Sequence, residues 1–81
     1  MGYIVKEENS QTGEVTRRGP FVTEQEGRMV LGNLVEQAYD FDPQLATANV
    51  RQEVEDAVRD GRKDCRDAKG NLVCRYTIEQ E

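Results

Sequence analysis

The chain has 81 residues, of which 11 are basic and 16 acidic, giving a net charge of −5; it contains no histidine. This composition describes one small acidic domain and argues against a duplex-binding surface, which needs massed cations. The missing imidazole also removes the commonest general base and metal ligand.

After Gly2, Tyr3-Ile4-Val5 is a compact run of strand formers. Asn9 to Gly13, reading NSQTG, is turn chemistry, and EVTRR reads as the returning strand of a first hairpin that Gly19-Pro20 should end. Thr23 followed by Glu26 has capping-box spacing: the hydroxyl caps a free amide while the carboxylate reaches back to the cap residue's own N–H. Val30, Leu31, Leu34, Val35 and Ala38 then recur at helical spacing. Gly27 and Gly32 lie inside this helix, where each costs about 1 kcal/mol against Ala, so a strand or a second helix is expected to come close.

The stop is Tyr39-Asp40-Phe41-Asp42-Pro43. Asp42 as cap and Pro43 as first residue predict a second helix running toward Gly61, with an optional break near Thr47. Its apolar ladder is Leu45, Ala46, Val50, Val54, Ala57 and Val58, and Arg51–Glu55 and Glu55–Arg59 sit one turn apart. Beyond Gly61 the period changes: Leu72, Cys74, Tyr76 and Ile78 alternate with Val73, Arg75 and Thr77, as in a half-buried strand. The expected architecture is α+β in the order ββααββ, a single domain over residues 1–81. Its two β-hairpins form antiparallel sheet with two helices packed on one face. Whether the hairpins join into one sheet or pair across a homodimer is open at this level. A chain this short buries only about 60% of its unfolded surface, which favours a dimer or a bound partner.

Cys65 and Cys74 flank the last turn, Asp67 to Asn71. A two-residue loop at Lys69-Gly70 sets them directly opposite, within disulfide range. A three-residue loop with left-handed Gly70 sets Cys65 against Val73 instead. Turn chemistry favours the second geometry; strand patterning favours the first. A disulfide and a pair of buried thiols are both compatible with the facing arrangement. Two cysteines without histidine fall short of a structural zinc site, and their spacing is not that of a redox CxxC pair.

The remaining chemistry is sparse. Ser10, the one serine, has no candidate base, and no phosphate-binding glycine loop occurs. Asp40 and Asp42 in YDFDP are the best candidates for a divalent cation, against the simpler reading of a helix cap beside a solvated acid. No enzyme activity and no cofactor are expected. No apolar run approaches the roughly 18 residues of a membrane span, and MGYIVKEENS lacks the apolar core of a leader, so the expected setting is cytoplasmic, away from membranes.

Charge is unevenly placed. Residues 23–60 carry nine acids against Arg28, Arg51 and Arg59, a net −6, whereas residues 61–81 carry five bases against four acids. Glu53, Glu55, Asp56 and Asp60 form an acidic face on the second helix, and Arg66 and Arg75 belong to a group of cations on the sheet. In size, acidic middle and lack of catalytic residue types, the chain resembles small phage-encoded inhibitors of bacterial defence, the anti-CRISPR kind. That resemblance implies a non-enzymatic inhibitor in the host-cell cytosol. Glu53, Glu55, Asp56 and Asp60 would then grip a basic, nucleic-acid-reading protein surface. Arg66 and Arg75, read from the sheet and not from the resemblance, are further candidate partner contacts. The basic segment from Arg62 to Arg75 departs from a pure phosphate mimic. The alternatives are a regulatory or structural homodimer, or a weak nucleic-acid binder through the sheet arginines.

Overall fold

A computed structural model describes residues 2–45 and 49–81. Strands β1 (Tyr3–Asn9) and β2 (Val15–Phe21) precede helices α1 (Glu24–Phe41) and α2 (Val50–Asp60), and β3 (Arg62–Arg66) and β4 (Leu72–Gln80) close the chain. The two hairpins join into one four-stranded antiparallel sheet in the order β2-β1-β4-β3. The fold is therefore α+β, with the helices after the first hairpin and before the second. No described helix is long and apolar enough to cross a membrane.

Alternation along the strands separates two faces. Val5, Cys65, Cys74 and Tyr76 point inward and form the core with Leu31 and Val35 of α1 and Ala57 of α2. The register places Lys6, Arg17, Glu8, Arg75, Asp64 and Arg62 on the opposite, uncovered face. Helix α1 lies across the sheet, while α2 packs against α1 and the edge strand β3.

Both interior glycines of α1 sit at close approaches. A Cβ at Gly27 would lie 3.7 Å from Ile78 and Tyr3, an ordinary contact with the sheet; at Gly32 it would lie 2.7 Å from Val58 Cγ2 of α2. Arg28 ties the same two helices together. Its guanidinium donates to the Val58 carbonyl at 2.8 Å and to the Arg59 carbonyl, capping the end of α2, and grips Glu24 at 2.7 Å. These carbonyls have no partner within their own helix, so a cation is well placed there.

The start of α1 follows the capping-box expectation in part. Thr23 Oγ1 accepts the Glu26 N–H at 3.2 Å, but the Glu26 carboxylate accepts from the Val22 N–H, one residue earlier than expected. Three other expectations are corrected. The first hairpin does not end at Gly19-Pro20: β2 continues to Phe21 through a shift of register between the Val5–Arg18 and Tyr3–Phe21 pairs. Proline has no N–H to give, and as an edge strand β2 can accommodate it. The second helix does not start at Pro43. The Asp42 N–H completes α1 by donating to the Ala38 carbonyl, Pro43 and Gln44 form a turn, Leu45 pairs with Asp67, and α2 begins after Asn49, whose side chain accepts the Gln52 N–H. The expected ladder position Ala46 and the break near Thr47 lie outside the described residues. Arg59, finally, pairs with Asp56 and Asp60 and not with Glu55, whereas Arg51 and Glu55 pair as expected at 3.7 Å.

The glycines give a paired stability test. Gly27→Ala should stabilise the protein by about 1 kcal/mol, the helix-propensity gain alone. Gly32→Ala should destabilise it by about 1 kcal/mol, because overpacking costs roughly 1–3 kcal/mol and exceeds that gain. Urea denaturation midpoints read both.

Candidate functional site

Toward the carboxyl end of α1 the two helices part, leaving a groove of about 470 Å³ lined by Glu36, Asp40, Val50, Arg51, Val54 and Glu55. Helical repeat builds it. Glu36 and Asp40 lie one turn apart on α1, Val50 and Val54 one turn apart on α2, and Arg51 and Glu55 form the outer rim. The floor is apolar, and three carboxylates face one guanidinium.

The structure divides the predicted acidic face. Only Glu55 borders the groove. Glu53 turns toward the sheet, where Lys63 Nζ grips its carboxylate and the Tyr39 hydroxyl donates to it at 3.4 Å. Burial, together with the neighbouring Cys65 thiol and Glu53 carboxylate, pushes the Tyr39 phenol up from its ordinary value. Asp56 accepts from Gln52 at 2.9 Å and pairs with Arg59 at 3.2 Å. Asp60 holds the same guanidinium at 3.0 Å, and that hydrogen bond draws its carboxyl below the usual range. Glu36 and Asp40, which complete the rim, were missed from sequence. Their signal is an i,i+4 pair of like charges on the helix adjoining the acidic one, an arrangement that costs a helix a few tenths of a kcal/mol.

Arg66 and Arg75 come together on the open sheet face, around Asp64. Arg75 Nε donates to Asp64 Oδ1 at 2.8 Å, while Arg62 and Arg66 approach the same carboxylate at 3.8 Å. Arg66 also donates to the Gly70 carbonyl at 3.0 Å. The Arg75 hydrogen bond, reinforced by the other two cations, draws the Asp64 carboxyl down. Lys6 on the same face pairs with Glu8 at 3.0 Å and Glu79 at 3.7 Å. These contacts tie up most of the cations that a nucleic-acid surface would use.

Asp40 and Asp42 do not converge. Asp40 opens on the groove, whereas Asp42 borders a different pocket and accepts the Gln44 N–H at 2.9 Å. Among the described residues no group of three or more His, Cys, Asp or Glu side chains is arranged to hold a metal ion.

Cys65 and Cys74 are free thiols, both buried and directly opposite each other. The two-residue loop at Lys69-Gly70 does not form, yet the facing of the cysteines expected from it does. The turn is the three-residue form, with Asp67 paired to Asn71 and Gly70 left-handed at φ 87°, and a bulge between Cys65 and Arg66 restores the facing cysteines. The bulge corrects one expectation, since Val73 is buried beside Cys74 and does not alternate outward. No family model, curated protein or solved structure matches this chain.

The cluster at Asp64 predicts a pH signature. A depressed carboxyl pKa contributes stability that is full above the unfolded value near 3.8 and is lost as pH falls through the lower folded value. Asp64→Asn should therefore cost about 1 kcal/mol at neutral pH, the scale of a partly exposed charged hydrogen bond, and progressively less as the solution is acidified below that value. Paired denaturation curves across pH measure the difference.

Proposed function

We propose that this protein is a non-enzymatic binding module whose inter-helical groove docks a cationic segment of a protein partner. In doing so it acts as an inhibitor that occupies a basic, nucleic-acid-reading surface, such as that of a CRISPR effector. The reading rests on the sorting of charge between the two layers. The helical half, residues 23–60, carries the net −6, and the groove sets Glu36, Asp40 and Glu55 around an apolar floor. An arginine or lysine side chain suits such a site twice over. Its methylene stem covers Val50 and Val54 while its charged head reaches the carboxylates. Opposite potentials also speed encounter and reject acidic competitors.

The opposite face supports the same choice over a nucleic-acid role. Lys6, Arg62, Arg66 and Arg75 on that face are laced to Asp64, Glu8 and Glu79, and releasing them for phosphate would sacrifice those pairs. Of the acids predicted from sequence, Glu55 contacts the partner directly. Glu53, Asp56 and Asp60 set the potential of α2 from its other flank.

Capture from a bacterial lysate containing defence complexes, followed by competition, tests the proposal. The immobilised protein should retain a basic nucleic-acid-binding partner that heparin or an oligonucleotide displaces. Combined Glu36→Lys, Asp40→Lys and Glu55→Lys should weaken retention by about ten-fold or more, the scale of a lost charged contact of roughly 1.4 kcal/mol. Arg66→Ala with Arg75→Ala should leave it unchanged. Loss of capture only in the arginine variant would transfer the site to the sheet and defeat the reading.

A further inference from the structure

On the helix-covered side of the sheet, beyond the end of α1, a pocket of about 180 Å³ opens between the first hairpin and the start of β4. Its walls carry Glu7, Glu14 and Asp42 and no cation, and its lining includes Cys74. Cys65, fully buried, lies directly behind as the cross-strand partner of Cys74. Facing residues of antiparallel strands have α-carbons about 4.5–5.5 Å apart, inside the roughly 4.4–6.8 Å that a disulfide spans. The two side chains face each other across the strand pair. The neighbouring Cys74 sulfur and burial push the Cys65 thiol up, whereas Cys74, which is slightly exposed and lines the pocket, is the sulfur an incoming reagent reaches.

We infer that Cys65 and Cys74 form a thiol–disulfide exchange site that a small cationic disulfide enters through the carboxylate-lined pocket at Cys74. In the first step the Cys74 sulfur attacks one sulfur of the reagent. The reagent's S–S bond breaks, one half leaves as a thiol with the Cys74 proton, and a mixed disulfide stands on Cys74. In the second step Cys65 attacks the Cys74 sulfur, and the other half leaves as a thiol with the Cys65 proton. The cysteine pair gives up two electrons and two protons, and one molecule of disulfide becomes two of thiol. The pocket sets the selectivity, because three carboxylates attract a cationic reagent and repel glutathione disulfide, which is anionic. Once formed, the bond closes the loop across residues 66–73 and fixes β3 to β4 at the bulge.

The test treats folded, reduced protein with cystamine or with glutathione disulfide and follows intact mass. Cystamine should convert the wild type to a monomer lighter by two hydrogens, about ten-fold or more faster than glutathione disulfide does. The oxidised product should melt about 10 °C higher, as expected for a short closed loop. Cys65→Ser should stop at one cysteamine on Cys74, and folded Cys74→Ser should not react. The inference is overturned if the mixed disulfide persists in wild type, if Cys74→Ser reacts as readily, or if glutathione disulfide is as fast. Should a serine variant fail to fold, the wild-type comparison of the two reagents still decides the question.

Discussion

Helix α2 rests on α1 at Gly32, where Val58 occupies the space a side chain would need, and Arg28 reaches across beside it to hold the last carbonyls of α2. This contact fixes the geometry of the helical layer. With the helices joined at that point, their other ends can part, and the space between them becomes the groove floored by Val50 and Val54. The approach is close only because α1 lacks a Cβ there. The roughly 1 kcal/mol of helix propensity given up is offset by burial between the helices.

The two faces of the molecule treat charge differently for a structural reason. On a sheet, neighbouring strands bring side chains of one face within about 5 Å of each other, so opposite charges meet whether or not they adjoin in sequence. Asp64 thereby collects three arginines from two strands. Along a helix, side chains one turn apart are the close neighbours, and Glu36 and Asp40 have each other at that spacing on α1. The sheet face thus cancels much of its field locally, while the groove keeps its own. Screening confines that field to about 8–10 Å at moderate salt, so it acts on a docked segment and little beyond.

Much of this was legible in the sequence because local signals agreed with the fold. Thr23, the helical ladder from Val30 to Ala38, Gly61 as terminator and the alternation ending at Ile78 each name an element that forms. The misreadings fall where tertiary pairing overrode a sound local signal. Asp42-Pro43 is good helix-opening chemistry, yet Asp42 serves the end of α1 and Leu45 is drawn into a bridge with Asp67. Glycine-proline usually closes a strand, but β2 resumes its pairing one register step later, at Phe21. The groove was hidden for a different reason. Its carboxylates come from two helices, and only the angle between those helices, set at Gly32, brings Glu36 and Asp40 beside Glu55.

Glu53 shows why a charged side chain in an acidic run need not belong to the surface. Lys63 and Tyr39 hold its carboxylate on the inner side of α2; Tyr39 also neighbours Cys65, Cys65 faces Cys74, and Tyr76 neighbours both Cys74 and Glu7. These groups form a polar seam between helices and sheet, and among the described residues no buried side-chain nitrogen or oxygen lacks a partner. Apolar contacts in a core this small tolerate sliding, because burial is non-directional. Hydrogen bonds in a low-dielectric seam do not, since each displaced partner leaves a desolvated group costing about 1–3 kcal/mol. The seam therefore sets the angular position of α2 about its own axis, directing Glu53 inward and, by helical repeat, Glu55 and Arg51 out to the rim of the groove.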